Sequence, residues 1–113
     1  MTNIERVEEI IREKIFNNLH QEVPYHVYQA NREWRLNHHG ELVIHQDLIV
    51  NRKAYLHMLI GRGSKTLRVI REAAIRDLEN LFGCKVHLFL HATVKPKMVQ
   101  RLAASANEGS TMM

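Results

Sequence analysis

At 113 residues with one cysteine, the chain is long enough for a single core and cannot close an internal disulfide, which suits a reducing compartment. No apolar run approaches the ~18 residues of a membrane span, and acidic residues follow Met1 at once, so no secretory leader is expected. The net charge of +4 favours an anionic partner.

Ile4, Val7, Ile11, Ile15 and Leu19 recur at spacings of three and four, which predicts a first helix capped by Thr2 or Asn3 and ended by Pro24. "YHVYQANREW", 25–34, is aromatic and β-branched early and reads as a strand. "NHHG", 37–40, is a turn in which Gly40 supplies a left-handed residue. "ELVIHQDLIV" alternates through Leu42, Ile44, Leu48 and Val50, with Gln46 interrupting, as the second strand of an antiparallel hairpin. "RKAYLHMLIG" is a short helix stopped by Gly61.

"KTLRVIREAAIRDLENLF" carries Leu67, Ile70, Ala74, Leu78 and Leu81 on one face, with Arg68, Arg71 and Arg76 off it, and Gly83 fits the residue after its end. "KVHLFLHATV" alternates Val86, Leu88, Leu90, Ala92 and Val94 until Pro96 ends it. A further helix over "KMVQRLAASA" and a frayed "NEGSTMM" tail follow. Helix, two strands, two helices and a strand, with one apolar sheet face, predict an α+β two-layer sandwich: a three-stranded sheet covered on one face by helices. Residues 1–95 form this one domain and 96–113 a C-terminal extension.

Charge is not spread evenly. Residues 52–76 hold seven cations against Glu72 alone, whereas residues 1–23 hold five carboxylates against three cations. The basic segment surrounds "LIGRGSKTLRVI", 59–70, where glycines and cations precede a helix. That pattern points to phosphate. It is not a P-loop, which needs G-x-x-x-x-G-K-S/T between a strand and a helix; here no glycine precedes Lys65 directly and both flanks are helical. A dinucleotide G-x-G-x-x-G would need glycine where Thr66 stands, and a parallel βαβ unit. Nucleotide-dependent catalysis is therefore not expected.

A glycine loop between two short helices beside a three-stranded sheet resembles a KH domain, whose G-x-x-G loop clamps about four single-stranded nucleotides. The order of elements is that of the type II topology, α-β-β-α-α-β. The chain further resembles the C-terminal KH domain of the Era family of ribosome-assembly GTPases. "IREKIFNNLHQEVPY" is similar to that family's entry helix, "IG" with its basic, glycine-rich tetrad to its loop, and "LFGCKVHLFLHATVK" to its closing strand. The resemblance runs from about Ile11 to Lys95.

Three features depart from the family. Ser64 stands where the tetrad Gly61-Arg62-Gly63-Ser64 would end in glycine. The tail lacks the Trp and the Leu-Gly-Tyr ending of bacterial members, and no GTPase domain is contained in the 113 residues. The chain is then either a domain excised from a GTPase or a stand-alone relative, and not itself an enzyme.

The resemblance implies single-stranded RNA as partner, at the 3′ region of small-subunit ribosomal RNA during assembly of that subunit, with the parent's GTPase domain as a second partner. It implies no cofactor. It implies a cytoplasmic setting in a bacterium or the mitochondrial matrix in a eukaryote; the tail and the histidine-rich turn favour the matrix. From the residues, Gly61 and Gly63 let the main chain approach the phosphates. Arg62, Lys65, Arg68 and Arg71 supply cations, and Ser64 offers its N–H and a capping hydroxyl. Ile60, Leu67 and Ile70 are candidates for an apolar floor under the bases, although aliphatics at helical spacing serve cores more often than ligands. The competing reading is a KH fold that has lost RNA binding and docks proteins.

Eight histidines do not make a metal site. His38-His39 lies in a turn, and His87 and His91 are ~13 Å apart along one strand face. Closed zinc sites need four well-spaced ligands. Exposed or RNA-facing histidines are expected instead. Cys84 is a lone packing residue, and no nucleophile–base set is legible.

Overall fold

A computed structural model describes the backbone of residues 1–111 and the side chains through residue 104. Helix α1 spans Asn3–Asn18. It opens on a capping box: the Glu5 N–H donates to Thr2 Oγ1 at 3.1 Å and the Thr2 N–H to Glu5 Oε1 at 3.3 Å. Val7, Ile11 and Ile15 face the core, while Ile4, expected in that stripe, is exposed in the first turn. The helix ends at Asn18 and not at Pro24; Pro24 instead starts a 3-10 turn over Val23–His26. A fixed proline φ suits the first turn of a helix as well as it breaks an interior.

Because that turn takes 23–26, strand β1 begins later than the pattern suggested, at Tyr28, and runs to Leu36. The Gly40 N–H donates to the Asn37 carbonyl at 3.0 Å, with Gly40 at φ +76°. Strand β2, Leu42–Val50, then pairs antiparallel with β1, with a bulge between Asn31 and Glu33. Gln46 lies fully buried on the inner face of β2, opposite Asn31.

Helix α2, Lys53–Ile60, and helix α3, Lys65–Phe82, form the crossover to strand β3, Val86–Val94. β3 runs parallel to β2 and is an edge of the sheet, whose order is β1-β2-β3. Parallel neighbours need such a crossover, so the helices are carried onto one face. Ile70, Ala74 and Leu78 of α3 meet that face and α1. Leu81, expected in the same stripe, is exposed in the last turn. The helix closes on Gly83 in the left-handed conformation, φ +65°. Lys14 of α1 bridges to Asp77 of α3 and to Glu13, and these bonds, Asp77 first, hold its ammonium above the usual lysine range.

Helix α4 spans Pro96–Thr111, longer than the helix expected over 97–106; Met112 and Met113 of the expected tail lie outside the described residues. It starts where the Lys95 N–H donates to the Val50 carbonyl at 2.9 Å, and it packs on β2. Among the described residues no helix is long and apolar enough to cross a membrane. The α+β two-layer arrangement in the order α-β-β-α-α-β is as the sequence predicts, with α4 added.

Candidate nucleic-acid interface

The loop between α2 and α3 is built on positive φ. The Gly61 N–H ends α2 by donating to the His57 carbonyl at 2.9 Å, and Gly61 then takes φ +75°, ψ 170°. A single 3-10 turn, Arg62–Ser64, follows, closed by the Ser64 N–H on the Gly61 carbonyl at 3.1 Å. Within it Gly63 sits at φ +60° and Ser64 at φ +62°.

The two glycines are required for different reasons. A Cβ on Gly61 would fall 2.3 Å from Thr66 Oγ1 and 2.8 Å from the Thr66 backbone nitrogen, so α3 packs directly on this glycine. A Cβ on Gly63 would meet nothing within 4 Å; there only the backbone angle asks for glycine.

Ser64 corrects two expectations: its N–H is not on offer to a phosphate, because the Gly61 carbonyl accepts it, and its hydroxyl is not a cap. It does not cap α3 with its hydroxyl, because a capping residue needs an extended backbone and Ser64 is left-handed, with no side-chain cap bond. It accepts a conformation that costs an L-residue about 1–2 kcal/mol and leaves its hydroxyl exposed. Among the described residues, the N–H groups of Arg62 and Gly63 donate to no backbone carbonyl.

Arg62, Lys65 and Arg68 are exposed and Arg71 is half-buried. Among the described residues none of the four lies within ion-pair distance of a carboxylate. Four unneutralised cations therefore share one loop and the two helical turns after it. Ile60 and Leu67 are half-buried at its base. Ile70 is 0 % exposed and belongs to the core, so it forms no floor for a ligand. Helices α2 and α3 both pack on the edge strand β3.

The histidines hold one arrangement that the sequence did not show. His87 and His91 do not approach each other; His87 Nε2 lies 2.9 Å from Glu41 Oε1, and His91 Nε2 lies 2.9 Å from Nδ1 of His45 on β2. Strand pairing, invisible in one strand's spacing, brings the second pair together. Among the described residues no group of three potential ligands could hold a metal ion.

The residues match a KH domain family model from 11 to 98. The chain belongs to the KH-domain family. Its KH domain is 39% identical over 93 residues to GTPase Era of Maricaulis maris, covering 82% of this chain and 30% of that protein. It is 35% identical over 92 residues to GTPase Era of Erythrobacter litoralis, covering 81% of the chain and 30% of that protein. Among solved structures it is similar to Aquifex aeolicus Era bound to GDP·AlF4−, with a TM-score of 0.77 at 30% identity, covering 84% of this chain and 32% of that one. The same figures hold for Era in complex with MgGDPNP and nucleotides 1506–1542 of 16S ribosomal RNA. The chain thus spans about a third of the length of these relatives. What it shares with them is a KH domain.

Proposed function

We propose that this KH domain binds single-stranded RNA through residues 60–71, at the 3′ region of small-subunit ribosomal RNA, in assembly of that subunit. The observation that carries the reading is the loop itself. It combines a left-handed backbone, free N–H groups on Arg62 and Gly63, and four cations without carboxylate partners. Such a surface destabilises an isolated fold, and a phosphate track satisfies all of it at once. The N–H groups and the first turn of α3 accept the anion. Arg62 and Lys65 neutralise it, and Arg68 and Arg71 extend the track along α3. These contacts carry no base information; Ile60 and Leu67, at the foot of the loop, support the bases. The choice of ribosomal RNA is supported by the relative whose structure holds nucleotides of 16S ribosomal RNA. A GTPase domain supplied by the parent protein completes the active assembly factor. The setting is the compartment of the ribosomes served, the mitochondrial matrix in a eukaryotic cell.

The test is a titration with a short RNA matching the small-subunit 3′ end, beside a scrambled RNA, at low and moderate salt. Arg62→Asp/Gly63→Asp serves as the loop variant. Saturable, salt-dependent binding that the variant abolishes supports the reading. A folded wild type that binds neither RNA would sink it and favour a protein-docking role.

A further inference from the structure

The outer face of the sheet carries a cluster of rings that the loop does not use. Register places Glu33, His45 and Phe89 in one row across the three strands, and His91 opposite Asp47 in the next. The His45 ring lies against Phe89 with centroids 4.5 Å apart and 15° between planes, and against His91 at 5.2 Å and 8°. His45 therefore stacks on Phe89, while His91, joined to it ring nitrogen to ring nitrogen, lies beside His45 edge to edge in nearly the same plane. The His45 ring is held by a hydrogen bond to His91 and by the nearby Glu33 carboxylate. His45 Nε2 faces Glu33 Oε2 at 3.3 Å, and His45 Nδ1 meets His91 Nε2 at 2.9 Å. With the His45 Nε2–H given to the carboxylate, Nδ1 is left to accept the His91 Nε2–H.

Phe89 is 44 % exposed on an ordered strand. The charges around it are balanced. Glu33 pairs with Arg35, Asp47 with Arg32, and Glu41 with His87. Lys85 and Lys95, at the two ends of β3, are exposed. A polyanion meets no unpaired carboxylate on this row. A flat ring surface is what a nucleobase stacks on, with little regard to sequence.

The cluster also adjoins the loop's own scaffold. β3 carries Phe89 and His91 on its outer face, while α2 and α3 pack on the same strand from the inner side. β3 has a free edge. A strand of RNA longer than the about four nucleotides a KH loop holds can cross that edge. We propose that Phe89, backed by the stacked His45 ring, is a stacking extension of the RNA site, taking a nucleobase adjacent to those held at the loop. This rests on the RNA-binding reading above.

The test compares a four-nucleotide RNA with an eight-nucleotide RNA that contains it, on wild type, Phe89→Ala and Phe89→Trp, with circular dichroism to confirm folding. The eight-mer is expected to bind more tightly. Phe89→Ala should lower eight-mer affinity roughly five- to a hundredfold, the range for losing one stacked base, and leave the four-mer unchanged, while Phe89→Trp keeps both. In wild type, the ring protons of Phe89 and His45 should shift in NMR spectra with the eight-mer and not with the four-mer. Equal affinities for the two RNAs, or an equal loss of both in Phe89→Ala, would overturn the extension while leaving the loop site standing. Binding of neither RNA would remove both proposals.

Discussion

Helix α3 and the loop before it are neighbours in the chain and follow opposite rules. In the helix, Ile70, Ala74 and Leu78 are each fully buried, and apolar burial decides their identity. In the loop, three positions in four hold positive φ, and its residues are exposed or half-buried. What keeps the loop in shape is backbone conformation and the contact of Thr66 with Gly61. The left-handed Ser64 is strained and gains no cap in return. One segment is built for stability and the next, on the function proposed above, for contact with RNA, so substitutions should separate the two properties.

The largest effect should come from the helix. Leu78→Ala removes a fully buried side chain and is expected to cost about 3 kcal/mol in urea unfolding, with the RNA affinity of the folded fraction unchanged. Gly61→Ala crosses the divide, because its Cβ meets Thr66 at 2.3 Å. A loss of about 2–3 kcal/mol is expected from overpacking and a positive φ. Adding Thr66→Ala should recover part of it, and strictly additive losses would show that the Thr66 contact is not what demands glycine.

Arg62→Ala should leave stability within about 0.5 kcal/mol. It should weaken all single-stranded RNAs alike, roughly fivefold near 0.1 M salt, and reduce the salt slope by about 0.7. A changed sequence preference with an unchanged slope would remove Arg62 from the phosphate track. Ser64→Gly should stabilise the fold by roughly 0.5 kcal/mol, the left-handed strain relieved less the extra chain entropy of glycine. A destabilised variant would show that Ser64 is not strained.

The smallest effect lies away from the loop. Asn37 Nδ2 and His87 Nε2 donate to Glu41, which lowers its carboxyl from 4.5 to about 2. A depressed carboxyl stabilises the fold above its unfolded pKa, and that contribution fades as pH falls from about 4.5 toward 2. Asn37→Ala should shrink the loss of stability across that window in acid unfolding. An unchanged acid limb would show that this bond does not contribute.

Much of the fold was legible because it follows local pattern. α3 begins and ends, and β3 ends, where periodicity, Gly83 and Pro96 place them. The errors lie where local signals compete. Pro24 reads as a helix stop but starts a 3-10 turn, which delayed β1. Ile4 and Leu81 fit their stripes but lie in end turns that reach past the core. Ser64 looks like a cap, and only its backbone angle shows otherwise. The loop's glycines and cations were legible as a cluster, but the burial of Ile70 was not, because an aliphatic stripe does not say which of its members the core takes in.

By itself the sequence determined the order of elements, the layer architecture, the basic loop and the resemblance to a KH domain, all properties of residues near each other in the chain. Only the tertiary structure decided that β3 runs parallel to β2, that Thr66 fills the space beside Gly61, and that His45 stacks on Phe89 and meets His91. The first is a direction of pairing, which alternation within one strand does not encode. The third joins residues 46 positions apart, and such contacts exist only once the crossover helices have closed the sheet.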